Sequence, residues 1–194
     1  MTKVLDPRSM ALAILNNDDN LWARKVQLKT AHMPCLVYLS LGSNVGDRQE
    51  NLREAIKRLN RLGRVTEVSS FYETEPVEFT EQPWFLNCAV ALETSQSAAE
   101  LMGGVLGIER EMGRMRLQKK GPRVIDIDIL LFGDEIVNTP DLTIPHAAMA
   151  ERRFVLEPLV EIADQAWHPV LKKTVVELLH DLPAGQAVRK AKTV

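Results

Sequence analysis

Two aspartates separated by one residue carry the strongest chemical signal in this sequence. Asp126 and Asp128 lie in the alternating apolar run 124–132, so in a strand both carboxylates would project from one face, about 7 Å apart. Carboxylates this close repel each other, and a divalent cation relieves the repulsion. Because neither Cys nor His accompanies them, the hard oxygen ligands favour Mg²⁺. The alternative interpretation is a solvated strand face whose aspartates pair with nearby arginines.

A basic segment precedes the aspartates. Glu111 is the only acid between residues 110 and 123, and the cations there are Arg110, Arg114, Arg116, Lys119, Lys120 and Arg123. Guanidinium groups bind phosphate oxygens in a bidentate manner, and a divalent cation neutralises charge between phosphoryl groups. The combination predicts a polyphosphate site, whereas the alternative is a solvated basic loop. The glycine-containing run 42–46 lacks a following Gly-Lys-Ser/Thr, which argues against a P-loop enzyme.

An aromatic ring and an amide share one face of the alternating run 85–92. Phe85 and Asn87 lie on that face, and the apolar partners Leu86, Cys88, Val90 and Leu92 form the opposite, core-facing set. A ring beside a group that both donates and accepts hydrogen bonds suits a flat heterocycle with amide-like edges. Packing of Phe85 in the core is the alternative.

Composition sets the class of protein. The chain has 194 residues, 24 Lys and Arg against 26 Asp and Glu, and 45% hydrophobic residues, enough for one well-packed domain. The near-zero net charge argues against a general nucleic-acid or membrane coat. Cys35 and Cys88 have no metal-binding spacing, so we expect a reduced, cytoplasmic protein. Residues 1–34 are predicted to be an extension, poorly ordered or a short helix, and residues 35–194 the domain.

Hydrophobic periodicity predicts the elements that would position these residues. Strands are predicted at 36–41, 65–72, 85–92 and 124–132, and helices after Asp47, after Ser97, at 155–162 and at 174–180. Gly63 is predicted to stop the first helix, and 135–138 to return as a hairpin strand. In the last long strand, the predicted inward residues are Ile125, Ile127, Ile129 and Leu131. This order predicts an α+β, ferredoxin-like βαββαβ antiparallel sheet with helices on one face, the other face open to ligands, and a C-terminal helical elaboration.

Several motifs in chain order resemble one enzyme family. They are Leu41-Gly42-Ser43-Asn44, Ser70-Phe71-Tyr72-Glu73-Thr74, Phe85-Leu86-Asn87, Glu109 with Gly113-Arg114-Met115-Arg116, Gly121-Pro122-Arg123 with Asp126-x-Asp128, and Ile144-Pro145-His146. Together they resemble the 6-hydroxymethyl-7,8-dihydropterin pyrophosphokinase family over residues 36–181. The resemblance implies transfer of pyrophosphate from ATP to the pterin alcohol in folate biosynthesis, giving the pterin diphosphate and AMP.

The family resemblance also implies roles for individual residues. Asp126 and Asp128 would hold two Mg²⁺ ions, and together with Arg114 and Arg123 they would form the catalytic set. The implied pterin-binding residues are Gly42, Thr74, Glu75, Val77, Phe85, Asn87 and Phe154. The implied ATP-binding residues are Glu109, Arg114, Arg116, Arg123, Ile129, Thr143, His146 and Arg152.

Two other classes of protein use similar features. An RNA-binding module on this topology would use sheet aromatics and basic loops, but the chain lacks its signature motif, and Asp126 and Asp128 would face the RNA phosphates. A metal-dependent nuclease could also use two aspartates with arginines. We expect small-molecule substrates, no nucleic acid or membrane partner, and a monomer.

Overall fold

Two long, largely buried strands, Cys35–Ser43 and Phe85–Thr94, pair with each other at the centre of the sheet. The computed structural model describes residues 33–76, 81–114, 121–183 and 185–192. Within those residues the strands are β1 (Cys35–Ser43), β2 (Arg64–Val68), β3 (Tyr72–Thr74), β4 (Phe85–Thr94), β5 (Asp126–Phe132), β6 (Val137–Asn138), β7 (Thr143–Ile144), β8 (Trp167–His168), β9 (Lys173–Thr174) and β10 (Val188–Lys190). The helices are α1 (Arg48–Leu59), α2 (Ala98–Glu111), α3 (Arg153–Ala163) and α4 (Val175–Asp181), with a 3₁₀ turn at Met149–Glu151.

The main sheet is antiparallel and has the ferredoxin-like strand order. Its sequence across the sheet is β10-β3-β4-β1-β5, and β2 pairs with β4 beside β3. The predicted α+β class and strand order are therefore confirmed. The prediction of one continuous strand at 65–72 is wrong, because β2 and β3 are separate. Ser69 lies between them, and its hydroxyl accepts a hydrogen bond from the Ala89 amide at 2.9 Å.

Helices α1 and α2 cover one face of the sheet, as the apolar periodicity predicts. The Asp47 side chain caps α1 by accepting from the Glu50 amide at 3.0 Å, and Ser97 and Glu100 form a reciprocal capping box on α2. The predicted stop of α1 at Gly63 is wrong, since the helix ends at Leu59. A Cβ on Gly63 would lie 2.4 Å from the Glu93 carbonyl oxygen, so this glycine permits close packing against β4.

The C-terminal helices cover part of the opposite face. Leu130, Leu131, Leu156 and Leu159 belong to a second core there, which also includes Ala89. The expectation that this face is open to ligands therefore holds only for the part that α3 and α4 leave uncovered. Leu131 was predicted to point inward with the isoleucines, and that prediction is wrong. A register shift in the β1–β5 ladder sets Tyr38 opposite Leu131 and Leu39 opposite Ile129, so the alternation reverses after Leu130.

The segment after β5 does not form the predicted hairpin with it. Gly133 adopts a positive φ of 48° in the turn, but β6 then pairs with β7 instead of β5. The Ile144–Pro145 peptide bond is cis, and the following His146 amide donates to the Leu130 carbonyl at 2.9 Å. Within the described ranges, no helix is long and apolar enough to cross a membrane.

Candidate active site

A cavity of about 310 Å³ lies over the uncovered part of the second face. Small residues of β1 line it beside the aspartates, because Ser40 pairs with Asp128 and Gly42 pairs with Asp126. On the other side of β1, Gly42 pairs with Asn87 of β4. A Cβ at residue 42 would lie 2.5 Å from Asn87 Oδ1, so only glycine leaves this amide where it is.

The cavity brings together most of the residues implied by sequence. One part contains the acidic and cationic groups Arg114, Arg123, Asp126, Asp128, His146 and Arg152. The other part contains Gly42, Thr74, Glu75, Phe85, Asn87 and Phe154. Pro76, which lies between the implied residues Glu75 and Val77, also lines the cavity, as do Ser40 and Gln82, which were not singled out from the sequence. For Ser40 a signal existed, because it precedes Gly42 by two residues on the same strand face.

The two aspartates differ in how their charge is compensated. Asp126 Oδ1 lies 2.5 Å from Arg114 Nη1, and Oδ2 lies 3.1 Å from Arg123 Nη1. Asp128 has no ion-pair partner among the described residues. Burial, and then the charge of Asp126, raise the pKa of Asp128 above its usual value. Pairing with arginines, the alternative interpretation, therefore describes Asp126 but not Asp128.

This donor set fits a magnesium ion that is shared with a phosphate ligand. Within the described residues no group of three or more His, Cys, Asp or Glu side chains could hold a metal, so the protein offers the two carboxylates alone. Mg²⁺ binds in this way, through one or two carboxylates, with water and substrate phosphates completing its coordination. Burial and the charge of Asp126 raise the pKa of Asp128, and a bound cation would favour its ionised form.

Glu109 does not line the cavity, but it contacts Arg114, which does. This carboxylate of α2 is 2% exposed. It accepts a hydrogen bond from the Ile127 amide of β5 at 2.8 Å, and it pairs with the Arg114 guanidinium. Glu109 thus connects the start of β5 to the arginine that contacts Asp126.

Three of the residues implied for ATP do not line this cavity: Glu109, Ile129 and Thr143. Ile129 is buried in the core between the sheet and helices α1 and α2, and Thr143 is exposed on β7. Their contact with ATP stays a prediction. Two further implied residues, Val77 and Arg116, lie outside the described residues, as does the rest of the basic segment from 115 to 120.

Asn44, the last residue of the motif at 41–44, holds the main chain of Arg123. Asn44 Oδ1 accepts from the Arg123 amide at 2.7 Å, and the Asn44 amide donates to the Arg123 carbonyl at 3.1 Å. Asn44 Nδ2 also donates to Gln82 Oε1 at 2.9 Å. The Arg123 guanidinium lies 5.3 Å from the centre of the Phe85 ring. Its Nε is buried and has no hydrogen-bond acceptor among the described residues, so this donor is left uncompensated in the fold.

Two phenylalanines and a polar edge form the other part of the cavity. Phe85 comes from β4 and Phe154 from the start of α3, and both line the cavity. Asn87 is 3% exposed, and its Nδ2 donates to Thr74 Oγ1 at 2.7 Å. The Arg152 guanidinium lies 5.7 Å from the Phe154 ring centre. The proposed heterocycle site is thus next to the carboxylate pair, in one cavity.

The fold and the cavity together define an α+β protein with a ferredoxin-like sheet, whose cavity is lined by carboxylates, arginines and phenylalanines. Comparison with known proteins identifies the family. Residues 38–164 match the family described as 7,8-dihydro-6-hydroxymethylpterin-pyrophosphokinase. The chain belongs to this family, and curated relatives from Bacillus subtilis and Aquifex aeolicus carry the name 2-amino-4-hydroxy-6-hydroxymethyldihydropteridine pyrophosphokinase.

Curated relatives include proteins of two lengths. The chain is 48% identical over 132 residues to 2-amino-4-hydroxy-6-hydroxymethyldihydropteridine pyrophosphokinase of Bacillus subtilis, covering 67% of this chain and 79% of that protein. It is 42% identical over 156 residues to Folic acid synthesis protein fol1 of Schizosaccharomyces pombe, covering 79% of this chain. The match spans only 21% of that longer protein.

Solved structures show the same fold at low sequence identity. A wild-type Plasmodium falciparum HPPK-DHPS crystal structure aligns with a TM-score of 0.59 and 17% identity, covering 77% of this chain and 41% of the other. An HPPK-DHPS structure in complex with substrates aligns with the same TM-score over 76% of this chain and 43% of the other. The chain therefore spans less than half the length of these structures. This likeness supports the fold assignment.

Proposed function

We propose that the cavity catalyses pyrophosphate transfer from ATP to 6-hydroxymethyl-7,8-dihydropterin, and that the carboxylate pair and the phenylalanine pair bind the two substrates. The observation that carries this proposal is the position of Asp128, which is crowded by Asp126 in the same cavity as Phe85 and Phe154. A carboxylate pair in which one member, Asp128, has no ion-pair partner among the described residues suits a metal-bound polyphosphate. Two phenylalanine rings in the same cavity suit a flat heterocycle.

Asp126 and Asp128 are the proposed ligands of two Mg²⁺ ions. When bound, these ions would neutralise charge on the phosphate oxygens and lower the pKa of the attacking alcohol. The chain's own cations complement them: Arg123 lines the cavity and pairs with Asp126, and Arg114 is oriented by the buried Glu109. These two arginines, with Asp126 and Asp128, make up the proposed catalytic set.

The pterin is proposed to lie between the rings of Phe85 and Phe154. Asn87 would hydrogen-bond its edge, and the Thr74 hydroxyl fixes the orientation of that amide by accepting from Nδ2. Gly42 has no Cβ that would clash with the Asn87 amide. Glu75 and Val77 are the remaining residues proposed to contact the pterin.

ATP is proposed to bind on the side of the cavity where His146 and Arg152 lie. Its phosphates would contact Arg114, Arg116, Arg123 and Arg152. Its adenosine would lie against His146, with Glu109, Ile129 and Thr143 contributing from behind as the family resemblance implies. The presence of His146 and Arg152 in the cavity that contains Asp128 supports this placement.

The proposed step is an in-line displacement at the β-phosphorus of ATP. The hydroxymethyl oxygen forms the new P–O bond, the bond between the β-phosphorus and the oxygen of the α-phosphate breaks, and AMP leaves. The hydroxyl proton passes to water, since no residue of the cavity stands out as a dedicated base. Positioning and charge neutralisation by the arginines and carboxylates supply most of the rate enhancement.

We propose further that the catalytic unit is residues 35–194 and that it acts as a cytoplasmic monomer without nucleic acid or membrane. Two observations support this proposal. Residues from Pro34 onward group into one compact unit, and Cys35 and Cys88 are free thiols. Sedimentation of the full chain at micromolar concentration checks the oligomeric state.

AMP formation tests the proposed function. The full chain is incubated with ATP and Mg²⁺, with and without 6-hydroxymethyl-7,8-dihydropterin, and the pterin product is analysed by mass spectrometry. We expect AMP only in the presence of the pterin, together with a pterin diphosphate. AMP formed equally without the pterin, or none formed by folded protein, would refute the proposal.

A further inference from the structure

The C-terminal residues 185–191, which we call the C-terminal strap, extend the sheet next to the proposed pterin site. Strand β10 of the strap pairs with β3, with Val188 opposite Thr74 and Lys190 opposite Tyr72. The Ala191 amide continues the contact by donating to the Phe71 carbonyl at 2.7 Å. The strap lies beyond residue 164, where the family match ends, so the match says nothing about what this segment does.

The strap holds Glu75 through its main chain and its side chain. The Glu75 amide donates to the Ala187 carbonyl at 3.3 Å, and Glu75 Oε1 accepts from the Ala187 amide at 2.8 Å. The Glu75 carbonyl accepts from Gln186 Nε2 at 3.2 Å. Glu75 lines the cavity immediately after Thr74, so its position determines the shape of that wall.

The same glutamine side chain reaches the opposite wall. Gln186 Oε1 accepts a hydrogen bond from the Phe154 amide at 3.2 Å. Phe154 lies in the first turn of α3, where amides have no acceptor within their own helix, and the N-cap residue Arg152 gives no side-chain cap. One amide group therefore joins the main chain of Glu75 to the main chain of Phe154.

We infer that Gln186 is a positioning residue that sets the width of the pterin site. This inference rests on the proposed function. Its two hydrogen bonds fix Glu75 relative to Phe154, and neither involves the carboxylates or arginines of the phosphate side. Loss of the bridge should therefore weaken binding of the pterin and leave ATP binding and the transfer step nearly unchanged.

Matched methionine substitutions on the strap test this inference. Gln186→Met keeps the length of the side chain and removes both hydrogen bonds. Lys190→Met is the control, because Lys190 contacts Glu161 at 3.1 Å, about two helical turns along α3 from Phe154, and neither Lys190 nor Glu161 lines the cavity. Strand β10 keeps its ladder with β3 in both variants, and Arg189 keeps its contact with the Trp84 ring at 4.6 Å.

For Gln186→Met we expect the KM for the pterin to rise about tenfold, the combined effect of two hydrogen bonds. The KM for ATP and kcat should stay within about twofold, and Lys190→Met should leave both KM values within about twofold. Gln186→Glu is the second variant: it keeps the acceptor for the Phe154 amide and loses the donor to Glu75. We expect its pterin KM to lie between the wild-type value and that of Gln186→Met.

Two results would overturn the inference. One is a wild-type pterin KM in both Gln186 variants. The other is a parallel rise of the pterin and ATP KM values, which would indicate general loosening of the fold. Failure of the wild-type chain to form AMP with the pterin would instead refute the proposed function. The two failures are therefore distinguishable in the same assay.

Discussion

Two acidic centres of this molecule differ in how their charges are compensated. Glu161 of α3 accepts hydrogen bonds from the Ser70 amide and hydroxyl, from the Tyr72 hydroxyl and from Lys190. Although partial burial raises it, these donors bring the pKa of Glu161 below its ordinary value. Asp128 shows the opposite: burial and the charge of Asp126 raise its pKa.

The difference separates a carboxylate with several hydrogen-bond donors, Glu161, from a cavity carboxylate without an ion-pair partner among the described residues, Asp128. Glu161 connects α3 to Ser70, to Tyr72 of β3 and to Lys190 of β10. Burial, and then the hydrogen bond with Glu161, raise the pKa of Tyr72 to about 12. Asp128 forms no ion pair with the described residues, and its ionised form is disfavoured in the folded protein. Such local cost is typical of active sites.

The largest expected effect comes from removing the uncompensated carboxylate. Asp128→Ala should lower turnover by about 10³-fold or more, because binding of the metal and its phosphates is lost, while the circular dichroism spectrum stays that of the wild type. Asp141→Ala, an exposed aspartate between β6 and β7, is the control and should retain activity. Wild-type turnover in Asp128→Ala would remove the basis for the metal assignment. AMP formation is the measurement.

Arg123 should have the next largest effect, since it compensates Asp126 and lines the cavity. We expect Arg123→Ala to lower kcat about 100-fold, the usual effect of one lost electrostatic donor. The KM for the pterin should change less than kcat does. Arg61→Ala, on the far side of the sheet at a surface ion pair with Glu111, controls for a general loss of positive charge. An unchanged turnover number in Arg123→Ala would contradict its catalytic role.

Glu161 should show the reverse pattern, a change in stability without a change in chemistry. Glu161→Gln places an amide donor among existing donors, and we expect a loss of about 1–2 kcal/mol in the free energy of unfolding, allowing for its partial exposure. Glu157→Gln is the matched control on the same helix, where a surface pair with Arg153 is worth about 0.5 kcal/mol at most. Urea unfolding measures both, and equal losses would argue against a special role for Glu161. The kcat of both variants should match the wild type.

The pH dependence of stability should follow from the same carboxylate. Because the pKa of folded Glu161 is below its ordinary value of 4.5, its stabilisation is fully present above that value and is lost as the pH falls through the folded pKa. The stability difference between wild type and Glu161→Gln should therefore be constant at neutral pH and shrink below pH 4.5. A difference that persists unchanged in acid would mean that ionisation of Glu161 is unimportant.

The smallest effect should be a gain in stability at the active site. The raised pKa of Asp128 means that its ionised form is disfavoured in the fold, so Asp128→Asn should stabilise the ligand-free protein at pH 7 by about 0.5–1 kcal/mol. Addition of Mg²⁺ with a non-hydrolysable ATP analogue should stabilise the wild type more than this variant. A less stable ligand-free Asp128→Asn protein would show that the carboxylate is already compensated.

Local patterns predicted much of the scaffold. Both caps, Asp47 on α1 and Ser97 with Glu100 on α2, form as their spacing indicates. The alternation of β4 correctly separates core residues from cavity residues. Each of these features depends on side chains within a few positions of one another, so the sequence contains all the information that specifies them.

The predictions that proved wrong involve contacts between distant segments. The register shift that turns Leu131 to the second core arises from pairing of β5 with β1. The division of the strand at 65–72 depends on Ser69 and Ala89, and β6 pairs with β7 instead of β5. Periodicity within one segment cannot report which partner that segment will have.

The sequence by itself determined the chemistry: an aspartate pair, a basic segment, an aromatic ring beside an amide, and motifs in the order of one family. Only the tertiary structure decided how these groups share charge and space. It paired Asp126 with two arginines and left Asp128 without an ion-pair partner among the described residues. It also placed Gln186 between Glu75 and Phe154. The Gln186–Glu75 hydrogen bond joins residues 111 positions apart in the chain, and such residues meet only when the sheet has formed.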